Sequence, residues 1–198
     1  MPKNATVDAS HPMGARVRSS VSGEGSFVLH AKPININQVL HNVVVQDPPA
    51  DKPPLPDQLN FQSGSIGFSQ APVGGWSNLT LYRNGNYHFQ GHLHDSGTPS
   101  YDGAVGCVVV GQDGFAFSFG HKVHLNGFFE SGSRDGDFED TGNNPQIAQH
   151  WEQLCAHYNY RWEANVNWDV AAAVNELVGA IKAAGTIVSA VIAVVALF

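Results

Sequence analysis

Between residues 59 and 130 apolar and polar side chains alternate, and tight-turn residues interrupt the alternation at short intervals. A two-residue period puts successive side chains on opposite faces of an extended strand, so the pattern admits strands and disfavours helices. Residues 60–70 alternate around Phe61, Ile66 and Phe68, and residues 77–82 set Leu79 and Leu81 against Asn78 and Thr80. Asn84-Gly85 then supplies the positive φ angles of a type I′ turn, the best short hairpin signal available. The return strand, 86–94, sends Tyr87, Phe89, Gly91 and Leu93 one way and His88, Gln90, His92 and His94 the other. Strands at 104–110, around Phe115, Phe117 and Phe119, and at 122–129 continue the series, with Gln112-Asp113-Gly114 as a turn. Hairpins at this spacing predict a mainly β fold, a small antiparallel meander closing into a barrel or sandwich over Phe and Leu. With helices at the C-terminal end the class is α+β.

The flanks divide by composition. Residues 1–25 read as a flexible polar arm and 26–46 as short strands. The five prolines of residues 47–58 make an extended linker ahead of the 59–130 β domain. Residues 131–144 form an acidic Gly/Asp loop. An amphipathic helix is expected over 145–166: Asn144 caps it, Pro145 takes its first position, and Ile147, Trp151, Leu154, Tyr158 and Trp162 recur at helical spacing. Residues 168–198 read as a hydrophobic C-terminal helix.

That last segment carries the leading functional expectation. Residues 183–198 contain neither a charge nor a proline, and so apolar a surface calls for a cover. Gly185, Ser189 and Ala193 recur every four residues, a small-residue ladder that lets helices approach closely. Val191, Val194 and Val195 add β-branched apolar bulk, and Trp162 and Trp168 precede the segment where aromatic rings favour a lipid boundary. The sequence is thus read first as a non-enzymatic, membrane-directed protein, whether pore-forming, toxin-like or tail-anchored. Its partner would be a lipid membrane or another copy, met through the C-terminal helix. A second reading is an oligomeric structural or binding module with that helix as its assembly core.

Two candidate ion sites stand beside these. His92 and His94 form an H-x-H pair on one strand face, with His88 on the same face and His121 and His124 on a later strand. Neutral imidazoles so placed can hold zinc, which would make a β-barrel hydrolase the third reading. Asp135, Asp137, Glu139 and Asp140 offer hard oxygens for calcium on the acidic loop. No resident cofactor is otherwise expected, because the chain has neither a nucleophile-elbow motif nor a Gly-rich phosphate loop opening a helix.

Charge limits the partners further. The net charge is −7, and ten Lys and Arg are scattered without a basic run. Nucleic acid is therefore not an expected partner, since phosphates require a concentrated cationic face. Lipid contact would have to rest on apolar burial. Cys107 and Cys155 read as buried thiols, with a single bridge as the alternative. The first twenty residues lack the apolar core of a signal peptide. Cytosolic synthesis is expected, with membrane association or export by a non-standard route as the further options.

Overall fold

A computed structural model of the 198-residue chain describes residues 19–28, 53–166 and 170–196. The elements run β1 (Ser19–Val28), β2 (Gln58–Gly67), β3 (Val73–Tyr82), β4 (Asn86–Asp95), β5 (Tyr101–Gly111), β6 (Phe115–Leu125) and β7 (Asp135–Asn143). Short helices α1 (Pro145–Gln149) and α2 (Trp151–Ala156) lead into β8 (His157–Val166), and α3 (Val170–Ala183) precedes β9 (Ala190–Ala196). The strands make two sheets, ordered β1-β8-β5-β6-β9 and β2-β3-β4-β7. Both sheets stay open at their edges, so the fold is sandwich-like and mainly β, and the barrel expected as the alternative does not form.

Alternation sets the core. Phe61, Leu79, Leu81, Phe89 and Leu93 from the four-stranded sheet meet Val105, Val109, Phe117, Phe119 and Trp162 from the five-stranded sheet. Ile147, Trp151 and Leu154 of α1 and α2 join the same cluster, and the Trp151 indole N–H donates to the Pro56 carbonyl at 3.0 Å. Strand β5 is buried along almost its whole length because it is covered twice. Its second face packs Val108 and Val110, with Ala116 of β6, under Leu177, Val178 and Ile181 of α3. This double burial is why its sequence is apolar nearly throughout where its neighbours alternate.

Four sequence expectations are corrected here. The helix expected over 145–166 stops at Ala156, and residues 157–166 form a strand between β1 and β5. Tyr158 and Trp162 lie four residues apart, a spacing that keeps one face in a strand as well as in a helix, so the stripe did not discriminate. Within 131–144, only the first residues are bends; Asp135–Asn143 pairs with β4 as an edge strand. Residues 19–25 of the polar arm belong to β1, antiparallel to β8. Of the strands expected over 26–46, residues 29–46 lie outside the described residues.

The fourth correction concerns the apolar terminus. Helix α3 ends at Ala183, and Gly185 takes a φ of 90°. The Gly185 N–H donates to the Lys182 carbonyl at 3.0 Å and the Thr186 N–H to the Ile181 carbonyl at 3.3 Å. This is a Schellman cap, which a residue without Cβ enters at no steric cost. Residues 190–196 then run parallel to β6, with Ala190 opposite Phe115 and Ile192 opposite Phe117. The β-branched run Val191, Ile192, Val194 and Val195 takes the conformation its side chains favour. Among the described residues no helix is long and apolar enough to cross a membrane.

Candidate functional site

The outward face of the four-stranded sheet presents an ordered set of polar side chains. Register puts Gln62, Asn78, Gln90 and Glu139 in one cross-strand row and Ser65, Trp76, His92 and Asp137 in the next. Asn60, Thr80, His88 and Thr141 make a third, in which the Thr80 hydroxyl donates to Asn60 Oδ1 at 2.8 Å. Trp76 stands out in this company because it is 44% exposed, while the tryptophans at 151 and 162 are buried. Its indole thus offers an apolar face and an N–H donor among hydrogen-bonding groups.

A β-bulge shapes the ground beside it. The β2–β3 register shifts between Gln62 and Ser65, and Gly64 adopts a φ of 68°. The Ser63 hydroxyl accepts from the Ser77 N–H at 2.9 Å and donates to the Gly64 carbonyl at 2.8 Å, so the bulge leaves that amide satisfied. The bend opens a shallow hollow of about 470 Å³ edged by Gln62, Ser65, Trp76, Asn78 and Gln90. Farther along the same strands a second hollow, of about 700 Å³, is bordered by Phe68, Pro72, Gly75, His92 and His94.

The third and fourth strands of this sheet carry a His–carboxylate seam. His92 Nδ1 lies 2.8 Å from Asp137 Oδ1, and His94 Nδ1 lies 2.7 Å from Asp135 Oδ1. His88 Nε2 approaches Glu139 Oε1 at 3.0 Å as an ion-pair contact. The hydrogen bond from His94 is the main cause holding the Asp135 carboxyl below the usual carboxylate range. On the other sheet the hydrogen bond from His124 chiefly does the same for Asp102, with Lys122 assisting.

A carboxyl held down in this way stabilises the fold at pH values above the ordinary carboxylate range. That contribution disappears as pH falls through the lowered value. Asp102→Asn is therefore expected to be less stable than the parent at pH 7, by no more than about 0.5 kcal/mol for so exposed a pair. The gap should narrow as the pH falls below the ordinary carboxylate value of about 4 and through the lowered one. Unfolding midpoints followed by circular dichroism from pH 7 downward check this, and a gap that widens over that range contradicts it.

The residues proposed for ions from the sequence separate. His88, His92 and His94 do share the outward face of β4, but each faces a carboxylate on β7. His121 lies on β6 in the other sheet, where it reaches Asp140 at 2.7 Å and stacks on Phe138. His124 pairs with Asp102 on β5. The two His-bearing strands are thus not neighbours. Asp135, Asp137 and Glu139 line the outward face of a strand while Asp140 turns to His121, so they do not wrap one point as a loop would. Among the described residues no group of three or more His, Cys, Asp or Glu is placed to hold a metal ion.

The residues proposed for membrane or oligomer contact also fall into different places. Gly185 caps α3, and Ser189 ties the following segment to the β5–β6 turn through its N–H, which donates to the Gly114 carbonyl at 2.8 Å. Val191, Ala193, Val194 and Val195 lie on β9, with Val191 half exposed and Val194 packed against the inter-sheet core. Trp162 is buried between the sheets, and Trp168 lies outside the described residues. Cys107 and Cys155 are both free and buried. Burial pushes their thiols up to about 12 and about 11, which withholds the reactive thiolate at neutral pH.

Trp76 and its amide neighbours are what sequence reasoning missed. The signal was available: Trp76 shares strand parity with Asn78 and Thr80, which marks it as outward-facing. The strand expected from the sequence begins at residue 77, just past Trp76, and so leaves it out of the alternation. No protein-family model matches the chain, and no curated protein matches it in sequence.

Proposed function

We propose that the protein is a non-enzymatic binding module that takes its ligand on the outer face of the four-stranded sheet. The observation that carries this reading is the open indole of Trp76, which lines one hollow beside rows of hydrogen-bonding side chains on neighbouring strands. Strand register sets the spacing of these side chains before any ligand arrives. The buried thiols and the unconverged imidazoles give chemistry no comparable focus.

The test is an array carrying glycans and polypeptides, probed with the parent and with Trp76→Ala. The parent should retain a defined set of ligands, and the variant should retain them at least about 10-fold more weakly. Because the indole is so exposed, its removal should change stability by less than about 1 kcal/mol. A folded variant that keeps the parent's ligands at full strength overturns the reading.

A second reading, of a membrane-directed or self-associating protein, is favoured by the apolar stretch that crosses into β9. Ile187 is 81% exposed and Val191 45% exposed, and β9 leaves one edge of its sheet unpaired among the described strands. An open apolar edge is a template for pairing or for lipid contact. Flotation with phosphatidylcholine–phosphatidylserine liposomes, run beside light scattering, should show association that Ile187→Asp with Val191→Asp removes. A parent that neither floats nor self-associates ends this reading.

A further inference from the structure

We propose that the ligand of this face is a neutral oligosaccharide, its sugar rings laid across Trp76 with their hydroxyls bonded to Asn78, Gln90 and Gln62. The inference rests on the binding-face reading above and adds the chemical class.

The bulge-side hollow is edged by side chains that carry no charge: Gln62, Ser65, Trp76, Asn78 and Gln90. A phosphate or carboxylate ligand would find no cation on the lining of this hollow. A long apolar ligand would strand the amides without partners, at a cost for each. What remains is a molecule with a flat apolar patch for the indole and several hydroxyls at its rim. A pyranose ring has that form, with C–H bonds on its faces and O–H groups at its edge.

The polar groups match in kind. A carboxamide has both a donor and an acceptor end, so it can serve two vicinal hydroxyls at once. Asn78 Oδ1 is buried and has no hydrogen-bond partner among the described residues. Left unpaired it is costly, and the half-buried side chain must turn to bring it to a ligand hydroxyl. Asn78 and Gln90 stand directly across from each other, one on each of two neighbouring strands, with Trp76 two residues from Asn78 on the same face. Ring and amides thus occupy adjacent places in one patch.

Two hollows suit an extended ligand. Trp76 lines the first, of about 470 Å³, and its chain and cross-strand neighbours Gly75 and His92 line the second, of about 700 Å³. Space along the sheet face suits an extended chain better than a lone monosaccharide. His92 and His94 border the second hollow, so further hydroxyls of such a chain would reach imidazole nitrogens.

The experiment is calorimetric titration of the full chain with cello-, chito-, xylo-, manno- and galacto-oligosaccharides of four to six units, and with each monosaccharide. One oligosaccharide series should bind, at least about 10-fold more tightly than its monosaccharide. Trp76→Ala should abolish that binding, Trp76→Phe should restore part of it, and Gln90→Ala should weaken it about 5-fold or more, with all variants folded by circular dichroism. If no saccharide binds while Trp76→Ala still loses polypeptide ligands on the array, the sugar class is wrong and the binding face stands. If a saccharide binds equally well to the parent and to Trp76→Ala, both the class assigned to this face and its location are overturned.

Discussion

Phe119→Ala is expected to cost about 3–5 kcal/mol, enough to unfold a substantial share of the molecules at 37 °C. The Phe119 ring is fully buried on β6 and spans the space between the sheets, 5.6 Å from the Tyr87 ring and 6.1 Å from that of Phe89. Tyr87 and Phe89 belong to β4, the strand whose opposite face carries His88, Gln90 and His92. Removing the ring leaves a cavity that two β-sheets, each held by its own hydrogen-bond ladder, can close only in part. Chemical denaturation should show a lower midpoint with an unchanged slope. A loss below about 1 kcal/mol would mean that the sheets do not depend on this contact.

Gly75→Ala is the second large effect, and it strikes fold and site together. A Cβ placed on Gly75 would lie 1.9 Å from the His92 carbonyl oxygen and 2.9 Å from its carbon. These are backbone atoms of the neighbouring strand, so no rotamer change relieves the clash and β3 must move away from β4. The expected loss is on the order of 3 kcal/mol or more. Trp76 is the next residue on the same strand, and its cross-strand neighbour is His92. Displacing that pair should therefore abolish binding even at temperatures where the variant remains folded. Gly67→Ala is the control, because a Cβ there meets nothing within 4 Å. Equal stability of the two alanine variants would show that the close approach of β3 and β4 is not what holds Trp76 in place.

Strand periodicity made the sandwich legible in the sequence. Phe61, Leu79, Phe89 and Phe117 all fall on the buried side that alternation assigns them. The hairpin forms at Asn84-Gly85 but not through the two-residue type I′ turn expected: the Gly85 N–H donates to the Tyr82 carbonyl at 2.9 Å, so Arg83, Asn84 and Gly85 make a three-residue loop with Gly85 at a φ of 88°. Asn144 caps α1, its side chain accepting from the Gln146 N–H at 3.0 Å. The helix boundaries were less legible, for reasons of periodicity. Tyr158 and Trp162 satisfy both a helical and a strand repeat, and a rule built on spacing cannot separate the two at four residues. Gly185 was read as one rung of a packing ladder because its use as a C-cap depends on φ, which the spacing of Ser189 and Ala193 does not encode. Which strands become neighbours is also not local information. His92 and His121 looked like ligands of one ion, but sheet order places their strands in different layers. The same long-range pairing assembled the Gln62, Asn78 and Gln90 row from three strands, so that row was invisible until register was known.

The proposed ligand contact lies on the outward face of β2, β3 and β4, around Trp76. Nuclear magnetic resonance of uniformly labelled protein, titrated with an array-selected ligand, tests it at the level of single groups. The Trp76 indole N–H and the side-chain amides of Gln62, Asn78 and Gln90 should shift together and saturably, while signals from α3 stay in place. Saturable shifts confined to α3 and β9, with the Trp76 indole unmoved, would contradict it.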